Sequence, residues 1–146
     1  MEIRTALPGE GAQVVGLINE LIVELGGPML PVDEPISTTE SFVADEYDGE
    51  IIVASQGAEL VAVCTITYQP SIRTFGKYGI IQEMYVVPKF RSANLGAQII
   101  EKAISQAKSV GCPIVELSTP PDGARAEHFY RSVGFDQVGI RMRSKL

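Results

Sequence analysis

The feature that most constrains the fold is a largely apolar run, Ile80 to Val87, which ends at Pro88. Its length is typical of a strand, and a strand of this composition is expected to be buried on both faces of a sheet. A segment with helical periodicity follows from Leu95 to about Gly111. A buried strand that turns directly into an amphipathic helix is typical of α/β domains, so we expect a central sheet covered by helices.

The remaining segments complete one α/β domain over residues 1–146, with antiparallel strands in the first half and β-α-β units in the second. Proline and glycine mark most of the boundaries between these segments. The predicted elements are, in chain order, a strand at 2–7, a helix from Pro8 to Leu25, a loop at 28–36, a short helix starting near Thr39 and capped by Thr38 or Thr39, strands at 50–55 and 59–67, a connection at 69–79, the strand at 80–87, the helix at 95–111, a strand at 113–118, a helix at 122–133 and a last strand at 135–142.

Composition excludes several classes of protein. The chain has 146 residues, of which 45% are hydrophobic and 21% charged, and these values fit one folded domain rather than a disordered or fibrous chain. No apolar run approaches the roughly 20 residues that span a membrane. The first residues, Met1 to Arg4, lead into a strand-like pattern without a secretory signal, so we expect a cytoplasmic protein without a membrane partner.

Charge is unevenly distributed along the chain. The net charge of −6 argues against nucleic acid as the partner. Residues 1–83 carry a net charge of −10, whereas residues 84–146 carry +4. The second half is therefore compatible with a local anion site, although scattered, solvated charges explain the same numbers.

Metal and disulfide chemistry have little support. Cys64 and Cys112 lie far apart in apolar runs, where they are expected to be small core residues. His128 is the only histidine. We therefore expect no metal site built from histidine and cysteine, and no disulfide framework.

The connection from residue 88 to 97 is a candidate anion site. A strand that passes through a loop into a helix directs successive backbone N–H groups outward at the helix N-terminus. Small residues allow an anion to approach this backbone closely, and Lys89 and Arg91 add positive charge. A plain connector between strand and helix is the alternative interpretation.

Two motifs in this order resemble the GNAT superfamily of acetyl-CoA-dependent N-acetyltransferases. The first is Arg91-Ser92-Ala93-Asn94-Leu95-Gly96, which follows Val86-Val87-Pro88 and is similar to the family's Gln/Arg-x-x-Gly-x-Gly/Ala loop. The second, Ala126 to Phe135, is similar to the family's Ala-x-x-Phe-Tyr-x-x-x-Gly-Phe element. Asn94 stands where the family usually has glycine, and asparagine is the residue after glycine that best tolerates left-handed backbone angles.

The resemblance covers essentially the whole chain and implies a GNAT fold, a mixed, mostly antiparallel central sheet with helices on both faces. It implies acetyl-CoA as co-substrate, with its pyrophosphate on the loop and its pantetheine paired with the main chain of Met84 and Val86. The cofactor-binding residues implied are Met84, Val86, Arg91, Ser92, Ala93, Asn94, Leu95, Gly96 and Ala97.

The implied reaction is direct attack of an amine on the thioester of acetyl-CoA. By resemblance, Tyr130 is the proton donor to the departing thiolate, although a tyrosine packed between helix and sheet fits the same position. Three possibilities stay open for the base: Glu83 on the central strand, Glu116 on the next strand, or water without a dedicated protein base.

The sequence constrains the acceptor amine and the oligomeric state less than it constrains the fold. Residues 33–50 contain seven acidic residues and no Lys or Arg, which favours a cationic acceptor such as a small or protein amine, or a solvated acidic surface. The resemblance implies a homodimer, with the strand from Gly139 to Leu146 as a candidate surface. The alternative functions are a non-catalytic acyl-CoA-binding or regulatory domain and a small interaction domain without a CoA site.

Overall fold

A computed structural model describes residues 1–146 and contains one five-stranded sheet. The strand order β1-β2-β3-β4-β5 follows the chain, and each neighbouring pair from β1 to β4 is antiparallel. A short 3₁₀ helix, Pro88–Ala93, precedes α3. The elements are β1 (Glu2–Thr5), α1 (Gly11–Glu24), α2 (Asp33–Val43), β2 (Gly49–Gln56), β3 (Glu59–Ser71), β4 (Gly76–Val86), α3 (Leu95–Ser109), β5 (Val115–Leu117) and α4 (Ala124–Ser132).

The sheet has a helix on each face, as the resemblance implied. On one face Val14 and Leu17 of α1 pack with alternate strand residues, among them Val63 and Tyr85. On the other face Gly79 leaves room for Ala107 of α3 to approach the sheet beside Ile66. Side chains point alternately to opposite faces of a strand. The long strand β3 therefore contributes Val63 to the core beneath α1 and Ile66 to the core beneath α3.

Both cysteines are buried, and burial makes their thiols unreactive. Cys64 is fully buried in β3, and burial raises the pKa of its thiol to about 12. Burial also raises the pKa of Cys112, and neither cysteine forms a disulfide. Both thiols are therefore small core residues, as expected from the sequence.

The second helix begins earlier than the sequence predicts. It starts at Asp33 and includes Pro35, whose missing N–H costs nothing in a first helical turn. The hydroxyls of Thr38 and Thr39 do not cap the helix; they donate to the carbonyls of Glu34 and Pro35, one turn back. The prediction of a cap at Thr38 or Thr39 was therefore wrong, and the loop predicted at 28–36 ends at residue 32.

The hairpin of β3 and β4 extends further than predicted. Residues 69–71 and 76–79, expected to lie in a connection, continue the ladder through pairs such as Gln69 with Tyr78 and Ser71 with Gly76. Only residues 72–75 form the turn. Pro70 is tolerated because β2 ends its pairing at Thr67 and leaves this side of β3 at the edge.

Residues Met1–Glu116 and Leu117–Leu146 form two compact units by their internal contacts. In the second unit α4 ends at Ser132, and residues 135–146 form no strand. The predicted strand at 135–142 is therefore absent from the single chain. No helix is long and apolar enough to cross a membrane.

Candidate functional site

The junction between β4 and α3 has the left-handed turn that the loop motif requires. After the 3₁₀ helix, Asn94 adopts φ 59° and ψ 16°, and α3 begins at the next residue. Asparagine occupies this region more readily than most residues with a side chain. The residue that departs from the family pattern therefore still makes the turn.

The first turn of α3 offers backbone N–H groups to a ligand. No side chain caps this helix, and the first N–H groups of a helix have no partner within it. Ser92, Ala93 and Asn94 are exposed, and Gly96 and Ala97 are half-buried. Leu95 is a buried core residue, so its contribution to a ligand is limited to its main chain.

Arg91 is held at the end of β4. Its Nε donates to the carbonyl of Val86 at 2.8 Å, and a terminal nitrogen pairs with Glu24 of α1 at 2.5 Å. The guanidinium lies 5.3 Å from the ring centroid of Tyr85. Arg91 therefore joins the loop to α1 in this structure, and Glu24 balances its charge.

The outer edge of β4 has main-chain groups that β5 does not reach. β5 has three residues against eleven in β4, and a bond between the two segments runs from Gly79 N to Ile114 O at 3.0 Å. Met84 and Val86 lie further along β4, and the Val86 carbonyl accepts the bond from Arg91. A strand edge of this kind can pair with an extended ligand.

A β-bulge places the carboxylate of Glu83. Thr65 pairs with Glu83 and the next residue, Ile66, pairs with Ile81, so Gln82 is an extra residue in β4. Without the bulge, residues 81 and 83 would share a face of the sheet. With it, Ile81 packs on the α3 side, and Glu83 shares the α1 side with Tyr85.

Glu83 is half-buried and bonded to Thr65. The Thr65 hydroxyl donates to a carboxylate oxygen of Glu83 and accepts a bond from the Glu83 backbone N–H at 3.0 Å. Burial raises the pKa of Glu83, and the bond from Thr65 partly opposes this increase. A carboxyl group with a raised pKa is suited to exchange protons near neutral pH.

The other two candidates for proton transfer differ in environment. Glu116 is exposed in the middle of β5. Tyr130 is half-buried on α4, and its ring lies 5.1 Å from Phe129 and 5.8 Å from Phe135, both in edge-on arrangements. The ring of Tyr130 is therefore fixed by aromatic contacts within its own unit.

The structure brings together residues that the sequence did not single out. Thr65 bonds to Glu83, and Glu24 and Tyr85 hold Arg91. The spacing of apolar residues in β4 contains no signal for the bulge, so Thr65 was not identifiable as a partner. Glu24 reads in the sequence only as one more acidic residue near the end of α1.

The acidic residues of the segment 33–50 are partly used within the fold. Glu40 accepts bonds from the backbone N–H groups of Gly9 and Gly11, and Asp48 pairs with Lys77 at 2.7 Å. Glu50 accepts bonds from the Tyr68 hydroxyl at 2.5 Å and from Gln106 at 3.0 Å. An open hollow of about 440 Å³ lies beside this region and is lined by Asp45, Glu46, Tyr47, Asp48, Gly49, Glu50, Tyr68 and Val110.

The hollow and the Glu83 carboxylate lie on different sides of the sheet. Glu50 faces α3, where it bonds to Gln106, whereas Glu83 shares the α1 side with Tyr85. No group of three or more His, Cys, Asp or Glu side chains is placed to hold a metal ion.

Comparisons with known proteins agree with one another. Residues 19–135 match the model of the acetyltransferase (GNAT) family. The aminoalkylphosphonate N-acetyltransferase of Salmonella typhimurium is 29% identical over 109 residues, which cover 73% of this chain and 71% of that protein. An uncharacterized N-acetyltransferase of Archaeoglobus fulgidus is 33% identical over 87 residues, covering 60% and 59% of the two chains. The solved structure of a possible acetyltransferase from Clostridium difficile 630 superposes with a TM-score of 0.86 at 20% identity, over 99% of this chain and 96% of that one, and it supports the fold alone.

Proposed function

This chain belongs to the acetyltransferase (GNAT) family, and we propose that it transfers the acetyl group of acetyl-CoA to a primary amine by direct attack. Enzymes of this family use acetyl-CoA as co-substrate. The observation that carries the proposal is Glu83, a half-buried carboxyl group that a bulge turns toward the α1 side of the central strand. When bound, acetyl-CoA supplies the activated acetyl group and a thiolate leaving group.

The loop after β4 is the proposed holder of the pyrophosphate. The left-handed turn at Asn94 and the uncapped first turn of α3 fit an anion, since these N–H groups lack partners within the helix. The exposed Ser92 and Ala93 allow close approach to the backbone. The main chain of Met84 and Val86 is proposed to pair with the pantetheine, along the edge of β4 that β5 does not cover.

We assign the base to Glu83 rather than to Glu116. Glu116 is exposed on β5, whereas Glu83 is half-buried with a raised pKa. An ammonium acceptor must lose a proton before it attacks, and a carboxylate of raised pKa takes that proton more readily than an ordinary one. The Thr65 hydroxyl fixes the position of the Glu83 carboxylate that receives the proton.

Tyr130 is the proposed proton donor to the departing thiolate. A phenol has an ordinary pKa of about 10, so it keeps its proton at neutral pH and can donate it as negative charge develops on sulfur. The contacts of its ring with Phe129 and Phe135 fix the direction of the hydroxyl. The assignment rests on these contacts and on the match of residues 126–135 to the family motif.

The acceptor is proposed to be a primary amine on a small molecule or a protein side chain. Three of the seven acidic residues at 33–50 have partners within the fold, so the argument for a cationic acceptor depends on the other four. The Salmonella relative is named for aminoalkylphosphonates, which carry an anionic group beside the amine. A cationic acceptor favours an acidic binding surface, whereas the anionic group of an aminoalkylphosphonate favours a basic one. Both kinds of amine therefore belong in the test.

The test combines binding with turnover. Acetyl-CoA and CoA are each added to the protein in thermal unfolding, and thiol release from acetyl-CoA is then followed with polyamines, aminoalkylphosphonates and lysine peptides. We expect a rise in Tm with acetyl-CoA and thiol release with at least one amine class. Stabilisation without release from any amine would support a non-catalytic acyl-CoA-binding domain, and no stabilisation would support an interaction domain without a CoA site.

A further inference from the structure

We propose that Glu24 of α1 is a positioning residue for acetyl-CoA, because its pairing with Arg91 holds the loop after β4 in the form that binds the pyrophosphate. The inference rests on the proposed function and adds to it a residue that lies outside both family motifs. Glu24 ends α1, 67 positions before Arg91. Arg91 then contributes the shape of the loop rather than a charge placed on the ligand.

Arg91 is fixed by three contacts, and all of them lie outside the loop. Its Nε donates to the carbonyl of Val86 in β4 at 2.8 Å, and a terminal nitrogen pairs with Glu24 at 2.5 Å. The guanidinium also lies 5.3 Å from the ring centroid of Tyr85. A guanidinium is planar and rigid, so contacts with three partners fix its orientation as well as its place. Because Arg91 belongs to the 3₁₀ helix Pro88–Ala93, these contacts also hold the loop backbone.

The guanidinium lies on the α1 side of the sheet, whereas the proposed anion site is at the start of α3. Tyr85 packs with Val14 and Leu17 of α1, and Arg91 lies over the Tyr85 ring. The helix α3 packs on the other face of the sheet and offers its uncapped N–H groups to the ligand. The charge of Arg91 is thus directed toward Glu24 and away from these groups. The side chain therefore acts on the anion site through the backbone of the loop.

The ring of Tyr85 is itself held by α1, one helical turn from Glu24. Tyr85 is 5% exposed and belongs to the core beneath α1. Burial raises the pKa of its hydroxyl, and a hydrogen bond with Glu20 raises this pKa further. Glu20 and Glu24 are four residues apart, so they lie on the same face of α1. Two carboxylates of one helix therefore hold Tyr85 of β4 and Arg91 of the loop.

Glu24 is an unfavourable residue for α1 taken alone. A carboxylate at the C-terminal end of a helix is disfavoured by the helix dipole, and the last turn of α1 has no basic residue. Glu20, one turn earlier, adds repulsion between like charges. The pair with Arg91 offsets both effects. The structural reason for a carboxylate at this position is therefore in the loop and not in the helix.

Calorimetric titration with acetyl-CoA tests the inference in Glu24→Gln. Glutamine keeps the size of the side chain but loses the charge that pairs with Arg91. A partly exposed ion pair changes an equilibrium constant by up to about fivefold, so we expect the Kd for acetyl-CoA to rise about threefold to fivefold. The direction is informative, because removal of a negative charge would otherwise favour an anionic ligand.

Asp48→Asn is the matched control. Asp48 pairs with Lys77 at 2.7 Å, and the two side chains are 53% and 44% exposed, against 44% and 28% for Glu24 and Arg91. Lys77 lies near the start of β4, at the opposite end from Arg91. This variant loses the same charge and a comparable ion pair, so its Kd for acetyl-CoA should be equal to the native value or slightly lower.

Hydrogen exchange supplies a readout that needs no ligand. Exchange of the backbone amides at 88–97 measures how firmly the loop is held. It should be faster in Glu24→Gln than in the native chain and unchanged in Asp48→Asn.

Arg91→Lys separates the shape of the side chain from its charge. Lysine keeps the positive charge but lacks the planar group that reaches Val86 and Glu24 together. The Kd for acetyl-CoA should therefore rise at least as much as in Glu24→Gln. The double variant should bind no more weakly than Arg91→Lys, because the two residues act as one unit.

Four results would overturn the inference and leave the proposed function standing. A lower Kd in Glu24→Gln would mean that Glu24 competes with the ligand for Arg91, and an unchanged Kd would mean that the pair has no role in binding. Native affinity in Arg91→Lys would mean that charge alone is sufficient. A raised Kd in Glu24→Gln without faster exchange at 88–97 would mean that Glu24 does not act through the loop. Failure of the native chain to bind acetyl-CoA would instead refute the proposed function, and this inference with it.

Discussion

Replacing Glu83 by glutamine should make the protein more stable and much less active. The substitution keeps the shape of the side chain and its ability to accept the bond from Thr65, but it removes the charge. If Glu83 is kept for proton transfer, its charge is maintained at a cost to the fold. Stability and activity should therefore move in opposite directions.

The size of the stability gain follows from the environment of the carboxylate. Incompletely paired polar groups in a protein interior cost about 1–3 kcal/mol, and Glu83 is half-buried with a bond from Thr65. We expect the substitution to raise the free energy of unfolding by about 1 kcal/mol, the lower end of this range. Such a gain raises Tm by about 2–4 °C for a chain near this length. Loss of a positioned base should lower kcat by about 10²–10⁴.

The gain should depend on pH in a defined direction. Burial raises the pKa of Glu83 in the folded chain, so the folded state binds this proton more tightly than the unfolded state does. Ionised Glu83 therefore destabilises the folded chain most at pH values above its folded-state pKa. This destabilisation disappears as the pH falls below the ordinary value of about 4.3, where the side chain is protonated in both states. The difference in Tm between the two proteins should be present at pH 7 and shrink toward pH 4.

Glu50→Gln is the matched control. Glu50 is also a half-buried carboxylate of the sheet, but it is bonded to Tyr68 and Gln106. Removing its charge should cost about 1–2 kcal/mol, since bonds to charged groups are stronger than neutral ones, and should leave kcat within about threefold. Thermal unfolding and steady-state kinetics measure both quantities. A Glu83→Gln protein that is less stable than the native one and retains its kcat would refute the assignment of Glu83 as the base.

Three further substitutions test the neighbouring roles. Thr65→Val removes the hydroxyl that opposes the increase in the Glu83 pKa, so the acidic limb of the plot of kcat/KM against pH should move to higher pH. Thr67 is an equally buried threonine of the same strand, and Thr67→Val should leave this limb in place. Tyr130→Phe keeps the ring contacts and should lower kcat by about 10²–10⁴ with little change in the KM for acetyl-CoA; a loss of less than about threefold would make Tyr130 a packing residue. Asn94→Gly keeps the left-handed turn, so calorimetry should find acetyl-CoA affinity equal or tighter; a large loss would give the asparagine side chain a role in binding.

The core of the fold was predictable because periodicity and breakers agree along most of the chain. Leu95 to Ala107 repeats at helical spacing, and the helix observed there begins at the predicted residue. Pro88 ends a strand within two residues of the predicted point. The hairpin of β3 and β4 was underestimated, because Pro70 and the glycines nearby read as a loop, although an edge position tolerates them.

The missing strand at 135–142 has a different cause. The local sequence pattern indicates which structure a segment can form. A strand also needs a neighbouring strand with which its backbone groups can hydrogen-bond. The segment from Gln137 to Arg143 has the strand period but no such neighbour in the single chain. The sequence therefore predicts the capacity of this segment and not its partner.

At the site, residue types were predictable but their surroundings were not. The motifs identified Arg91, Asn94 and Tyr130 as candidates, and Glu83 was one of three possibilities for the base because it lies on the central strand. The bulge at Gln82 has no sequence signal, because an extra residue in a ladder depends on how two strands align. The contact of Arg91 with Glu24 joins residues 67 positions apart, beyond the range of any local pattern.

The central claim is transfer of an acetyl group to nitrogen, and paired acceptors test it most directly. Release of CoA thiol and formation of the acetylated product are measured together, with the best primary amine of the panel and with its N,N-dimethyl analogue, which is also a cation at neutral pH. We predict equal amounts of thiol and acetylated amine with the primary amine and only background release with the dimethyl analogue. Thiol release at the same rate with both amines, without an acetylated product, would contradict the claim, because the chain would then be hydrolysing the thioester.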